Sequence, residues 1–431
     1  MVPPADTREA TVREFADRFG RRALADAAGL LTEAGRERVV ASLPAAFVSG
    51  DPGPVEALEA YRWGLEDRYG EFVSVDGVEL ADGEATVGLE FTEGGAVATV
   101  GVDDDGVTDL SFSPGYTTPA YADGAAFEER EVTVDAGDVA LGGVLTAPDG
   151  GGPFPGIVFV HGHGIHDPDG TAGATKILKD LAWGLAGEGI ASLRYEKRLH
   201  DHEVPDEEYT LDTVVVDDAV AALDELADAD AVSEDDCFVA GHSQGGMCAP
   251  WIADRHGTVA GVVNLDGTAD PIVDPEDLTP IRYEMDPDGD LDEDEQAELE
   301  PKRETFRRIA DGEFEDDETL VSYPGAWHRS HLEYDPVGTA CDLGVPVFVA
   351  STERVDEQRQ SDLLEWRREK TAAWETADLP GGSRVESYEA VGHYFQAGPT
   401  PSRPIGLYFG GNIERYVVED VAEWVHEVAD G

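Results

Sequence analysis

The chain reads as an α/β protein, a mostly parallel, doubly wound sheet carrying a capping insertion, preceded by a small α+β domain. Two observations predict this. From Glu131 onward short apolar runs alternate with helix-length amphipathic segments, an order that places helices on both faces of a parallel sheet. Before that point, helical spacing gives way to a period of two, as an α+β unit requires. A length of 431 residues with 41% hydrophobic content supplies core for about two or three domains.

From Thr7 to about Tyr69, Phe15, Phe19, Leu24, Leu30 and Leu31 recur at helical spacing. Val55, Leu58, Tyr61, Trp63 and Leu65 follow a Gly/Pro break. Between Phe72 and Phe112, segments such as Ala85–Phe91 and Ala96–Val100 are separated by glycine-rich turns, which predicts an antiparallel meander. Residues 1–115 are therefore expected as one domain, 116–130 as a linker and 131–431 as a second domain.

In the second domain, strands are expected at Glu131–Val134, Gly143–Thr146, Ile157–Val160, Ile190–Arg194, Phe238–Ala240 and Val259–Leu265. Helices near Ile177–Ala186, Val214–Leu226 and Gly246–Ala253 lie between the later ones. The alternation lapses after Leu265. An acidic stretch at about 270–334, helical over Glu295–Ile309, reads as a cap over the site. Strands at Val345–Ala350 and Arg384–Glu389 and a last helix at Ile413–Val428 resume the pattern.

The most informative segment is Cys237-Phe238-Val239-Ala240-Gly241-His242-Ser243-Gln244-Gly245-Gly246, an apolar strand running into a Gly-x-Ser-x-Gly turn. Such a turn strains the serine and exposes its hydroxyl at the carboxyl end of a central strand, where open α/β sheets bind ligands. Ser243 is the candidate nucleophile. Upstream, Gly156–Val160 ends in His161-Gly162-His163-Gly164. Acyl transfer needs backbone N–H donors aimed at the developing oxyanion, and Gln244 and His163 are assigned that role.

The general base is expected after the last strand, where His393 stands in Val391-Gly392-His393-Tyr394-Phe395; His256, His328, His331 and His426 fit the order less well. The acid is expected in the loop after Val349, where Asp356 is the choice and Glu353 its alternative, with Glu357 nearby. Two metal readings compete and are set aside. His161, His163 and His166 approach an H-x-H-x-D-H spacing, but Ile165 occupies the acid's place. Glu284, Asp286, Asp288, Gly289, Leu291 and Glu295 fall at EF-hand loop positions, but Pro287 is awkward and Glu284 stands where Asp is preferred. No cofactor or metal is expected.

Ninety-two acidic residues against 30 basic ones give a formal net charge of -62, with lysine nearly absent beside arginine. At molar salt the Debye length shrinks to about 3 Å and screens this self-repulsion, so the composition reads as adaptation to a saline cytoplasm. Nucleic acid and anionic membranes are disfavoured, since phosphate binding depends on Lys and Arg. Cys237, Cys248 and Cys341 form no disulfide or zinc pattern. The start, Met1-Val2-Pro3-Pro4-Ala5-Asp6, has no basic n-region or apolar h-region, and no long apolar run follows; a soluble, cytoplasmic protein is expected.

Further segments carry a resemblance. These are Tyr116–Tyr121, Phe127–Val134, Gly152-Pro153-Phe154-Pro155, Lys179–Ala186, Leu193-Arg194-Tyr195-Glu196-Lys197-Arg198, Gly241–Gly246, Tyr334-Asp335-Pro336-Val337 and Gly392-His393-Tyr394-Phe395. With them the chain resembles bacterial and archaeal α/β-hydrolases of the dienelactone-hydrolase-like and carboxylesterase type, which carry an N-terminal DUF3887 domain of NTF2-like fold. The resemblance implies the α/β-hydrolase fold, an NTF2-like first domain and hydrolysis of small or medium carboxylic esters through Ser243 and His393; taken with the acidic composition, a halophilic archaeal source is expected. Where the family has Gly-x-Arg-Asp after the penultimate strand, Val355 replaces the Asp and Asp356 follows; the family's Ser or Gly in the His-Gly corner is His163. A thioesterase or small peptidase would use the same groups, and an impaired triad would leave a binding or scaffold protein. A homodimer is compatible with the chain.

Overall fold

The structure, a computed structural model, describes residues 5–48 and 50–431; the expectation resting on Met1–Pro4 lies outside the described residues. The chain divides into two compact units. One runs up to Thr117 and also takes in Ala172–Thr175 and Gly398–Gly411; the other comprises Thr118–Thr171, Lys176–Ala397 and Asn412–Gly431. The second domain is thus not the continuous 131–431 block expected from the sequence.

In the first unit, helices Ala5–Gly20, Leu24–Ala28, Glu33–Ala41 and Pro54–Tyr69 accompany an antiparallel meander of Phe72–Ala81, Glu84–Phe91, Gly94–Val102 and Val107–Phe112. Its alternating inward residues, Ala85, Val87, Leu89 and Phe91 on one strand and Ala98, Val100 and Val102 on the next, join Phe15, Phe19, Leu58 and Leu65 in one core. Residues 398–411 belong here because Phe409 is an aromatic plug, its ring centroid 5.3 Å from Phe112 and 6.3 Å from Tyr61. Gly64 makes room for that ring, since a Cβ there would lie 2.5 Å from Phe409 Cδ2.

The second unit is built on an eight-stranded sheet in the order Arg384–Tyr388, Val347–Thr352, Gly261–Leu265, Val232–His242, Phe154–Val160, Ala191–Tyr195, Ala140–Pro148, Phe127–Asp135. The first six of these run parallel, Ala140–Pro148 runs antiparallel to them, and the edge strand Phe127–Asp135 pairs antiparallel with Ala140–Pro148. The edge strand starts at Phe127, inside the segment expected as a linker. Because strand side chains alternate faces, Val158, Val160, Val239, Val262 and Val349 point to one core with Ala219, Leu223 and Ile252. Their neighbours Ile157, Phe159, Phe238, Val263 and Phe348 point to another with Leu181, Val421 and Trp424. Helices Asp217–Ala227 and Gln244–His256 cover the first face; Ile177–Gly187 and Arg415–Ala429 cover the second.

The expected cap contains helices Thr279–Met285, Glu293–Ala310 and Gly325–Leu332 and a short pair of strands, Thr319–Leu320 and Tyr323–Pro324. It has a small core of its own in Ile309, Phe314 and Leu320. The EF-hand-like residues have other duties. Asp292 and Glu295 form a capping box at the start of Glu293–Ala310, and Asp286 accepts the backbone N–H groups of Asp288 and Gly289. Among the described residues no helix is long and apolar enough to cross a membrane.

The central strand ends at His242 and the next helix begins at Gln244, so Ser243 alone makes the turn, at φ 55° and ψ -118°. The turn closes only because its neighbours lack side chains. A Cβ on Gly241 would lie 2.0 Å from the Gly245 carbonyl carbon, and one on Gly245 would lie 2.4 Å from the Val160 oxygen. Both obstacles are backbone, which cannot step aside as a flexible side chain can. Gly241→Ala is therefore expected to lower stability by about 3 kcal/mol, measured by chemical denaturation in molar KCl; a negligible change would show that the turn can relax.

Candidate active site

Three neighbouring strand ends assemble the site. The Ser243 N–H donates to the Leu265 carbonyl at 2.9 Å, tying the nucleophile turn to the end of the adjacent strand. The next residue, Asp266, has φ 53°, and its N–H donates to Ala350 on the following strand at 2.7 Å. His393 Nδ1–H donates to Asp266 Oδ2 at 2.5 Å. The carboxylate beside His393 is thus neither Asp356 nor Glu353.

Asp266 is held from several sides. Thr352 donates its N–H to Oδ1 and its hydroxyl to Oδ2, each at 2.9 Å, and Arg367 Nη1 lies 3.9 Å from Oδ2. Burial alone would push this carboxyl up, but the bonds from His393 and Thr352 and the charge of Arg367 outweigh it and hold it at about 2. The loop expected to supply the acid supports it instead, through Thr352. Asp356 turns back on its own loop to accept the Gln358 and Arg359 N–H groups, at 3.0 and 3.2 Å. Glu353 pairs with Arg368 at 3.0 Å, and Val355 is buried against Leu363 and Leu364. A signal for Asp266 does lie in the sequence: it directly follows the Val259–Leu265 strand, beside the nucleophile strand. The lapse of alternation after Leu265 masks it, because the residue then reads as the approach to the cap.

A turn from Gly392 to Gln396 presents His393. It is closed by Phe395 N–H to the Gly392 carbonyl at 2.7 Å and Gly392 N–H to Gln396 at 3.1 Å, with Phe395 at φ 55°. Beside it, the His242 ring packs 4.7 Å from His393 and 5.0 Å from Tyr394. Burial and the neighbouring His393 lower His242 to about 3, so it is neutral and its Nε2–H donates to the His393 carbonyl at 2.8 Å. The competing histidines are engaged elsewhere: His328 bonds the Leu320 carbonyl, His331 that of Trp327 and His426 that of Glu188, while His256 faces Asp224.

The residues assigned to the oxyanion hole flank the serine. Gln244 opens the helix after it, and a Cβ on Gly162, the residue before His163, would lie 3.3 Å from Ser243 Cβ. The buried Lys197 bonds both corners, donating to the Gly162 carbonyl at 2.8 Å and to Gln244 Oε1 at 3.2 Å. Burial lowers its ammonium to about 8. His161 and His166 do not present their rings to a common ion: His161 bonds the Asp167 carbonyl and His166 that of His163. His163 instead faces the cap, 4.9 Å from the Tyr323 ring and 6.2 Å from Trp327, with Tyr209 5.2 Å from Trp327.

Asp266→Asn is expected to lower kcat by about 10³–10⁴ by mis-setting the imidazole, whereas Asp356→Asn and Glu353→Gln leave it essentially unchanged. Initial rates on one ester decide between them; a greater loss in Asp356→Asn would reverse the assignment. Because the folded-state carboxyl of Asp266 titrates below its ordinary value, its contribution to stability is complete above about pH 4 and fades as pH falls toward about 2. Acid-unfolding curves of Asp266→Asn should therefore be flatter than wild type within that window.

The chain has relatives among known proteins. The prolyl oligopeptidase family matches residues 207–309, a span that includes Ser243. Among solved structures, the chain is similar to Est1E from Butyrivibrio proteoclasticus, at 14% identity and TM-score 0.43 over 70% of this chain and 99% of that one. It is also similar to a Pyrobaculum calidifontis esterase, at 18% identity and TM-score 0.43 over 70% of this chain and 86% of that one. Among curated proteins, Esterase EstD of Thermotoga maritima is 30% identical over 344 residues, 78% of each chain. The chain belongs to the α/β-hydrolase family that includes Esterase EstD.

Proposed function

We propose that the protein is a serine carboxylesterase in which Ser243, His393 and Asp266 form the triad. The observation that carries this reading is the 2.5 Å bond from His393 Nδ1–H to Asp266, in a site whose strained serine is tied to the residue before that carboxylate. With Nδ1 so engaged, His393 Nε2 is the lone pair left to take the Ser243 proton as Oγ attacks the ester carbonyl. The N–H groups of Gln244 and His163 receive the oxyanion. Collapse expels the alkoxide, which takes the proton from His393, and water then releases the acid from Ser243 by the same steps in reverse roles.

The aromatic side chains of Tyr209, Tyr323 and Trp327 beside His163 favour a flat, apolar group on the ester. The match to the prolyl oligopeptidase family supports a second reading as a peptidase, with an amine rather than an alkoxide leaving. The first unit, with its curled meander and helices, is taken as the NTF2-like domain, and the charge of -62 as adaptation to a saline cytoplasm in a halophilic archaeon.

Hydrolysis of p-nitrophenyl esters in molar KCl tests the reading. Wild type is expected to turn over and form a covalent fluorophosphonate adduct, and Ser243→Ala to do neither. An inactive wild type would remove the esterase reading, and faster cleavage of peptide anilides than of matched esters would favour the peptidase. The melting temperature is expected to climb between 0.1 and about 2 M KCl as screening takes hold; a flat response would remove the halophilic reading.

A further inference from the structure

Lys197 is 3% exposed and its ammonium reaches two acceptors that are not carboxylates, the Gly162 carbonyl at 2.8 Å and Gln244 Oε1 at 3.2 Å. A buried cation is costly unless paired, and no ion pair compensates this one among the described residues. Its two partners are the residue before His163 and the residue after Ser243. Both oxyanion corners therefore rest on one side chain.

The Gly162–His163 peptide is trans, and in a planar trans peptide the carbonyl and the following N–H point in opposite directions. Anchoring the Gly162 oxygen on Lys197 turns the His163 N–H away from the lysine. The Gly162 Cα itself borders Ser243, since a Cβ on it would come within 3.3 Å of Ser243 Cβ. The carboxylate of Asp218, whose charge acts on the ammonium from a distance, is itself paired with Arg198.

We infer that Lys197 is a positioning residue for the oxyanion hole, which sets the Gly162–His163 peptide and Gln244 and places a buried positive charge behind the developing oxyanion. This rests on the proposed roles of Ser243, Gln244 and His163. The lysine touches no reacting atom. It acts through the Gly162–His163 peptide and the Gln244 side chain, so its effect belongs to the tetrahedral transition state and not to ground-state binding.

The test measures ester hydrolysis, the affinity of an alkyl boronic acid and the affinity of the uncleavable amide matching the ester. The boronic acid adds Ser243 Oγ to boron and mimics the tetrahedral anion; the amide mimics bound substrate. Lys197→Met is expected to lower kcat about 10- to 100-fold and to weaken boronate binding by a similar factor. KM and amide affinity should hold within about twofold. Melting temperature should not fall with kcat, because the substitution also removes a buried charge. A loss confined to KM, unchanged boronate affinity or unchanged kcat would overturn the inference. If Lys197→Met does not fold, Lys197→Gln, which retains a donor without the charge, is read by the same ratios; failure of both to fold makes Lys197 a structural residue and likewise overturns it. Ser243→Ala is assayed alongside, so that surviving activity there identifies a wrong nucleophile and not a wrong role for the lysine.

Discussion

The site depends on how closely backbone approaches backbone at the end of the central strand. Gly241, Gly245 and Gly246 leave no space for a Cβ, against the turn's own peptides, the Val160 carbonyl and Asn264 Oδ1 respectively. That contact lets one residue, Ser243, convert strand to helix. It also brings the helix start, the His161–Gly164 corner and the end of the neighbouring strand within reach of one another. A side chain at any of these positions would separate groups that must act together.

Asn264 extends this contact to the acid. Fully buried, it accepts the Gly267 N–H at 2.7 Å and returns a bond to the Gly267 carbonyl at 3.2 Å, clamping the turn that carries Asp266. A Cβ on Gly267, like one on Gly246, would strike the same Asn264 oxygen at 2.5 Å. The helix after Ser243 and the turn that carries Asp266 therefore share one packing point. Positive φ at both Ser243 and Asp266 is the strain stored there, upheld by the surrounding network.

The electrostatics divide by side of the serine. Asp266, His393, Thr352 and Arg367 form a network whose carboxylate stays ionised well below neutral pH, ready to stabilise an imidazolium. On the other side Lys197 supplies a buried positive charge bonded to neutral acceptors. In the proposed mechanism, proton transfer from Ser243 to His393 would move positive charge toward Asp266 and leave negative charge toward Lys197. The two buried groups thus favour the same separation of charge.

The serine turn, the histidine that meets Asp266 and the sheet are legible in the sequence because each leaves a local record. Alternating apolar strands, a Gly-x-Ser-x-Gly turn and a histidine after the last strand are all patterns within a few residues. The aromatic segment near Phe409 joins the first unit through contacts with Tyr61 and Phe112, far away in sequence, and no local pattern marks such a partner. The carboxylate that meets His393 escapes a sequence reading for a related reason. Asp356, Glu353 and Asp266 are equally plausible as residue types, and which one meets His393 depends on strand order and on the direction in which each loop leaves the sheet. Sequence alone determined the order of strands and helices and the Gly-x-Ser-x-Gly turn; the neighbouring strands, by aligning Leu265, Asp266 and Thr352, decided which carboxylate meets His393, and the fold set Lys197 between Gly162 and Gln244.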